Sequence, residues 1–170
     1  MAGANNDYPI LDKIAPSWAD VTCKVQPLNG SLLVTRDFKS INSGATLDIG
    51  VQMAGGRVKQ TTVGSLTNTF SFTLYLSGAQ AFEKALRDVA TTAGYVRDGG
   101  VVQIGLVFFQ FDYLFTPPGS DDIFERRLKG CRLMSDAEAS AEGTDAMTVD
   151  YTAFVTERVK VIDNVEYALI

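Results

Sequence analysis

Apolar and polar positions alternate with a period of two over most of this chain, the mark of strands with one buried face. Val21, Cys23 and Val25 alternate with Thr22, Lys24 and Gln26, which predicts a strand over 21–28. Asn29-Gly30 follows, and because both residues tolerate positive φ it predicts a tight hairpin turn, with 31–38 returning as partner strand. Residues 45–53 alternate again, with Leu47, Ile49, Val51 and Met53 aligned. The clearest strand is 67–76, where Phe70, Phe72, Leu74 and Leu76 point one way and Ser71, Thr73 and Tyr75 the other.

One stretch changes period. Ala79, Phe82, Leu86, Val89 and Ala93 recur at helical spacing, while Glu83, Lys84, Arg87 and Asp88 fall mostly on other faces. Ser77 with Gln80 reads as a capping box, and Gly94 suits the left-handed residue that stops a helix. A helix is expected over about 78–93.

Beyond Asp98-Gly99-Gly100, residues 101–115 read as one long strand that is apolar on both faces, hence covered on both sides by its own fold or by another subunit. Thr116-Pro117-Pro118-Gly119-Ser120 predicts a rigid turn, 123–134 a strand dense in charge, and 136–145 an acidic, solvated loop. Strands over 147–155 and 158–162 follow, then a turn at Asp163-Asn164 and a last strand over 165–170. Residues 1–16, with Pro9 and Pro16, read as an N-terminal arm, leaving 17–170 as a single domain. The fold expected is mainly β: a β-sandwich or partly closed β-barrel carrying one α-helix.

Composition removes several functions. The 170 residues contain no histidine, which excludes a Ser-His-Asp or Cys-His catalytic pair and any His-based metal site. Fifteen Lys and Arg against 20 Asp and Glu give a net charge of −5, the wrong sign for gripping nucleic-acid phosphates. Cys23 and Cys131 are too few for a disulfide scaffold or a four-thiolate zinc site. They read either as reduced, buried thiols or as a late cross-link within or between subunits. The N-terminus has no basic region followed by an apolar run, so it does not read as a secretory signal. The apolar stretch 101–115 is broken by Gln103, Gln110 and Asp112, which argues against a membrane span. The expectation is a chain made soluble in a cytoplasm.

No catalytic constellation or cofactor motif stands out. Walker-type and strand-linked Gly-x-Gly-x-x-Gly loops are absent, and Gly55-Gly56 lacks the helix start that would hold phosphate. Asp136, Glu138, Glu142, Asp145 and Asp150 do not follow EF-hand spacing and read better as a solvated loop than as a calcium site. Asp121-Asp122 could supply one carboxylate of a glycosidase pair, as could any acidic chain. Catalysis, cofactor and metal are therefore not expected. The charged run Arg126, Arg127, Lys129, Arg132 lacks interleaved aromatics; it reads as an edge strand guarded by charge or as ion-pair partners for a neighbouring subunit. Residues 54–65 hold Arg57, Val58, Lys59, Gln60, Thr61 and Thr62 with almost no apolar anchor. Such a segment either moves in solvent or lies on a partner.

These pieces resemble a known family. PSWADVTCKV at 16–25, DFKSI at 37–41, GRVKQTTVGS at 56–65, SGAQAFEKALRDVA at 77–90 and the stretch RRLKGCRLMSDAEASAEGTDAMTVDYTAFV at 126–155 are similar, in order and phrase, to the tail tube proteins of contractile-tailed bacteriophages. Type VI secretion tubes and baseplate tube initiators share that fold. The resemblance implies a non-enzymatic virion protein, assembled in the host cytoplasm. Six copies would close a ring, and strands of all six would form one inner barrel. Rings would stack into a tail tube that conducts DNA during ejection without binding it tightly. The implied partners are further copies of the chain, a tail sheath, and baseplate and tail-terminator proteins, with no membrane. The loop 54–65 and the charged strand then become subunit-interface candidates. A monomeric β-barrel binding a small apolar ligand is the alternative from a different class.

Overall fold

The computed structural model describes residues 21–115, 124–139, 146–162 and 164–168. The N-terminal arm, the 116–120 turn and most of the acidic loop expected from sequence lie outside these residues. Nine strands, a single α-helix and one 3-10 turn make up the described part: β1 (Val21–Pro27), β2 (Leu33–Thr35), β3 (Phe38–Ala54), β4 (Arg57–Tyr75), α1 (Leu76–Thr92), the turn Ile104–Leu106, β5 (Phe108–Phe115), β6 (Phe124–Ala139), β7 (Thr148–Phe154), β8 (Glu157–Ile162) and β9 (Val165–Tyr167). All pairings are antiparallel, in the order β2-β1-β5-β6-β7-β4-β3, with β8 on β6 and β9 on β8.

The sheet curls because its apolar faces converge. Phe111 on β5 meets Phe38, Phe70 and Phe72 of β3 and β4 across the interior, at ring-centroid distances of 5.2, 4.8 and 5.4 Å. Phe82 of α1 reaches the same cluster, 5.5 Å from Phe72 and 5.6 Å from Phe109, so the helix closes one end. Ser43 on β3 and Tyr113 on β5 share a 2.8 Å hydrogen bond across the curl. The edge strands β2 and β3 do not pair with each other, so the barrel is only partly closed, as the alternation predicts. Each fully buried aromatic here contributes about 1.5–3 kcal/mol through removal from water.

The helix begins one residue before the expected cap. Tyr75 occupies the N-cap position and makes no side-chain cap bond. Ser77 is inside the first turn and donates instead to Asp37 Oδ2 (3.1 Å), so the capping box does not form. The buried stripe is Ala79, Phe82, Leu86 and Ala90, with Val89 half-buried and Ala93 exposed. Gly94 has positive φ and ends the helix as expected: its N–H donates to Thr91 O and that of Tyr95 to Ala90 O.

Two expected elements are different in kind. Residues 101–115 are not one strand. Only Phe108–Phe115 is; before it come an isolated Val96–Val102 bridge and the 3-10 turn. The apparent apolarity of both faces arose from joining two pieces. Phe109 and Phe111 face the core, whereas Val102 and Ile104 pack on it from the preceding coil. Residues 136–139, expected as loop, continue β6, and Leu76 belongs to the helix rather than to the strand before it.

β6 bends at Gly130. Its first half pairs with β8 and its second with β7, in almost unbroken register, so β7 and β8 are one strand kinked at Thr156. Gly130 holds φ at +63°, and a Cβ there would stand 2.5 Å from Thr156 Oγ1. The Thr156 hydroxyl donates to the Gly130 carbonyl (3.2 Å) and its N–H to Lys129 O (3.2 Å), which locks the kink.

Candidate functional site

The main departure from the sequence reading is at 54–65. Apart from its two-residue tip, that segment is not a loop. β3 and β4 pair along their whole length, from Phe38 opposite Leu74 to Ala54 opposite Arg57. The turn is Gly55-Gly56, with φ of +60° and +75°; positive φ at both central residues makes a tight turn whose twist matches the flanking strands. Arg57, Val58, Lys59, Gln60, Thr61 and Thr62 thus form the start of β4. The sequence reading saw no apolar anchor and missed that two paired strands satisfy each other's backbone without a core.

It was right that this segment touches little of its own body. Every residue from Asp48 to Thr67 is exposed, forming an arm about 25 Å long. The arm has two unlike faces. Leu47, Ile49, Val51 and Met53 continue the core-facing side of β3 outward. Opposite them on β4 stand Leu66, Val63, Thr61 and Val58. Leu66 and Val63 are three positions apart, as are Thr61 and Val58, which breaks strict alternation. Register shifts at 47–49 and 52–53 restore the phase, so the apolar residues of both strands share one face. Ile49, Val51, Met53, Val58 and Val63 are each between 53% and 68% exposed. An apolar stripe of this size, held in phase by two bulges, marks an interaction surface.

The opposite face carries Ser40, Asn42, Gly44, Thr46, Asp48, Gly50 and Gln52 from β3, facing Thr73, Ser71, Thr69, Thr67, Thr62 and Gln60 from β4. Apart from Arg57 at the tip, opposite Ala54, its alternating positions contain no Lys or Arg. Ser40 Oγ donates to Thr73 Oγ1 (3.0 Å), whose hydroxyl donates to Asp150 of β7, and Ser65 Oγ donates to Asp48 Oδ2 (3.0 Å). At the root of the arm lies a notch of about 780 Å³, lined by Leu66, Asn68, Met134, Phe154 and Thr156 among others. Asn68 Nδ2 donates to Thr156 O across it (3.1 Å), while the buried Asn68 Oδ1 has no partner among the described residues.

The charged strand separates into different roles. Arg127 pairs with Glu125 (2.7 Å) and Glu166 (2.6 Å), and Lys129 with Glu166 (3.3 Å) and Glu157 (3.9 Å), so these two cations tie β6 to β8 and β9. The two cations in turn hold the Glu166 carboxyl below its ordinary range. Arg132 donates to the Gly105 carbonyl (2.7 Å) and sits 5.6 Å over the Phe108 ring. Arg126 alone of the four points to the curl interior, opposite Lys160 and Tyr113, and among the described residues donates only to its neighbour's carbonyl.

Cys23 and Cys131 are free and buried, and burial pushes both thiols up to about 12. They flank β5, opposite Tyr113 and Phe109, on β1 and β6. Two strand spacings, roughly 10 Å, separate them before any offset along the strand, beyond disulfide reach. Within this chain they are two separate core thiols, not a pair. Among the described residues no group of three or more His, Cys, Asp or Glu side chains is placed to hold a metal ion, and no helix is long and apolar enough to cross a membrane.

A long two-faced hairpin on a curled sheet with one helix defines a class. The chain has the fold of tube proteins from phage tails and contractile injection systems. It is similar to the SPP1 tail tube protein (TM-score 0.58, 17% identity, covering 88% of this chain and 82% of that one). A chain of the anti-feeding prophage baseplate, a 6-fold symmetrised assembly, is similar at TM-score 0.60 and 8% identity over 91% of this chain and all of that one. One from the sheath–tube complex of an extracellular contractile injection system matches at TM-score 0.58 and 9% identity, over 95% and 99%. No protein-family model and no curated protein matches the sequence.

Proposed function

We propose that this chain is the structural subunit of a phage tail tube, without enzymatic activity. Six copies close into a ring, and rings stack into a hollow tube in the virion tail, assembled in the host cytoplasm. The observation that carries this reading is the β3–β4 arm. Its apolar stripe demands a partner surface, and its other face, whose alternating positions carry no Lys or Arg apart from Arg57 at the tip, suits a wall past which DNA slides. Uncharged Ser, Thr, Asn and Gln with Asp48 and Asp150 offer phosphates nothing to hold. Strands of neighbouring copies would continue the sheet through the backbone edge of Arg57, Val58, Lys59, Gln60, Thr61 and Thr62, burying the side chains of the apolar stripe and leaving Gln60 and Thr62 on the other face. Subunits added by rotation close a ring, and a second, heterologous contact stacks rings into a filament. The tail sheath, baseplate and terminator would complete the assembly.

The likeness to a baseplate chain supports a second reading, a tube initiator that forms one ring and stops. Negative-stain electron microscopy beside size-exclusion chromatography separates the two. Hollow filaments are expected for a tube subunit and isolated rings for an initiator. A strict monomer when concentrated would overturn both and favour the ligand-binding barrel.

A further inference from the structure

The two ends of the curl carry opposite uncompensated charge. At the end from which the arm projects, Arg126 of β6 lies opposite Lys160 of β8, and Arg158 shares their face. Arg158 Nε donates to Ser43 Oγ (3.3 Å) and Arg126 to the Glu125 carbonyl (3.0 Å). None of the three cations has an acidic partner among the described residues. The nearby acids Glu125, Glu157 and Glu166 are all engaged by Arg127 and Lys129. Arg158 and Lys160 line, with Ala45, Tyr167 and Ala168, a recess of about 280 Å³ that opens at this end.

At the helix end the sign reverses. Tyr151 donates to Glu83 Oε1 of α1 (2.6 Å). Asp136 and Glu138, on the last turn of pleat of β6, lie near the same hydroxyl, which burial first, then the Glu83 bond and the field of the carboxylates, hold protonated well above its ordinary range. None of these carboxylates has an ion-pair partner among the described residues. Lys84 and Arg87 lie nearby on α1, but Arg87 is paired with Asp88 (3.3 Å). The two charge sets therefore sit toward opposite ends of β6, about 35–40 Å apart along its contour. Charges this far apart cannot compensate each other through water at physiological salt, where screening extends only about 8 Å.

We infer that copies of this chain meet head to tail, with Arg126, Arg158 and Lys160 of one copy facing Glu83, Asp136 and Glu138 of the next. The contact is heterologous and repeats without limit, as a stack requires. The arm projects from the same end, so it reaches the next copy in the same direction. This inference rests on the tube reading and names the surfaces that join one ring to the next. It leaves Arg158 to hold Ser43 and Glu83 to hold Tyr151, so the test reverses the other four charges.

The test compares three proteins by sedimentation and electron microscopy. One carries Arg126→Glu with Lys160→Glu, the second Asp136→Lys with Glu138→Lys. Each alone should lower the filament fraction roughly tenfold, because like charges then face each other. An equal mixture should assemble to within about twofold of wild type, since each reversed end then meets its complement. The wild type itself should lose filaments as salt rises from about 0.15 M to about 1 M, which requires no variant to fold. Reversed proteins that each stack as well as wild type, a mixture no better than its components, or wild-type filaments indifferent to salt would overturn this contact while leaving the tube reading in place. Wild-type protein that forms neither rings nor filaments would overturn the tube reading and this contact with it.

Discussion

The β3–β4 hairpin is one continuous structure in two environments. At its base, Phe70, Phe72 and Leu74 of β4 are at most 2% exposed; further out, Val63 on the same strand is 68% exposed. The alternation of apolar and polar residues is as regular in the arm as at the base, once its bulges are counted. Alternation therefore reports which face of a strand is to be covered and says nothing about what covers it. At the base the cover is β5 and α1 of the same chain; along the arm the described residues give none. This contrast predicts that damage at the base destroys the fold and damage along the arm spares it.

The largest effect is expected at Phe72, whose ring lies 4.9 Å from Phe70, 5.1 Å from Tyr151 and 5.5 Å from Phe82. Phe72→Ala should cost about 3–5 kcal/mol, a large part of the stability of a domain this size. Urea unfolding followed by tryptophan-independent circular dichroism would measure it. A loss below about 1 kcal/mol would mean that the base is no better packed than the arm.

Next comes the kink that steers β6 from β8 to β7. Gly130→Ala must place a Cβ 2.5 Å from Thr156 Oγ1 at a φ of +63°. The expected loss is about 2–3 kcal/mol, from backbone strain and displaced Thr156. Gly55→Ala, at the arm's turn, also has positive φ but nothing within 4 Å of its added Cβ, so it should cost about 1 kcal/mol of local pairing and little global stability. Thermal melts of the two variants compare body and arm at one kind of residue.

The body also holds the buried titratable groups. Cys23 and Cys131 ionise near 9.0 when unfolded and near 12 when buried, so above pH 9 the folded state keeps protons that the unfolded state gives up. Stability then falls as pH rises, by about 1.4 kcal/mol per thiol at pH 10. Tyr151, also raised by burial and by its Glu83 bond, adds to the loss above its ordinary value of 10.0. Melting temperatures across pH 8 to 11 would show the decline, and Cys23→Ala with Cys131→Ala should flatten its lower part. Native thiols that react with a thiol reagent at pH 8 as fast as unfolded ones would contradict the burial.

The body and the arm were also unequally legible in the sequence. The core strands, the helix stripe and its Gly94 stop could be read because each follows one period and is covered locally. The capping box failed because Asp37, distant in sequence, offers Ser77 a better partner than its own helix. The 101–115 error came from treating a run of apolar residues as one strand, when coil and strand pack on the same core from different directions. The charged strand was read as a guarded edge or as ion-pair partners for a neighbouring subunit, but β6 is paired on both sides, and Arg127 and Lys129 face Glu157 and Glu166 of the same chain, residues about 30 to 40 positions later, while Arg126 faces elsewhere. For the arm, a polar Gly-Gly segment suggested a loop. The phase change at 58–66, which looks like lost alternation, is the trace of two bulges that a single strand cannot reveal without its partner's register.

The smallest effect on stability, and the most informative about function, is expected on the arm. Ile49→Ser with Val51→Ser replaces two residues that are 60% and 53% exposed and touch no core. Unfolding of the isolated subunit should change by no more than about 0.5 kcal/mol, as for other surface substitutions. Ring formation should nevertheless be lost, because polar groups would be carried into a contact whose only attraction at these positions is apolar. Val63→Ser, across the hairpin from Ile49, should act in the same direction, whereas Gln52→Ser and Thr62→Ser on the opposite face should leave assembly unchanged. Rings that form equally well from all of these variants would mean that the apolar stripe is not the subunit contact. Loss with both faces alike would mean that the assembly buries side chains of the polar face as well as those of the apolar one. Loss with the apolar face alone would locate the contact on the side of the hairpin that continues the core, so that the assembly interface is the protein's own interior extended into its neighbour.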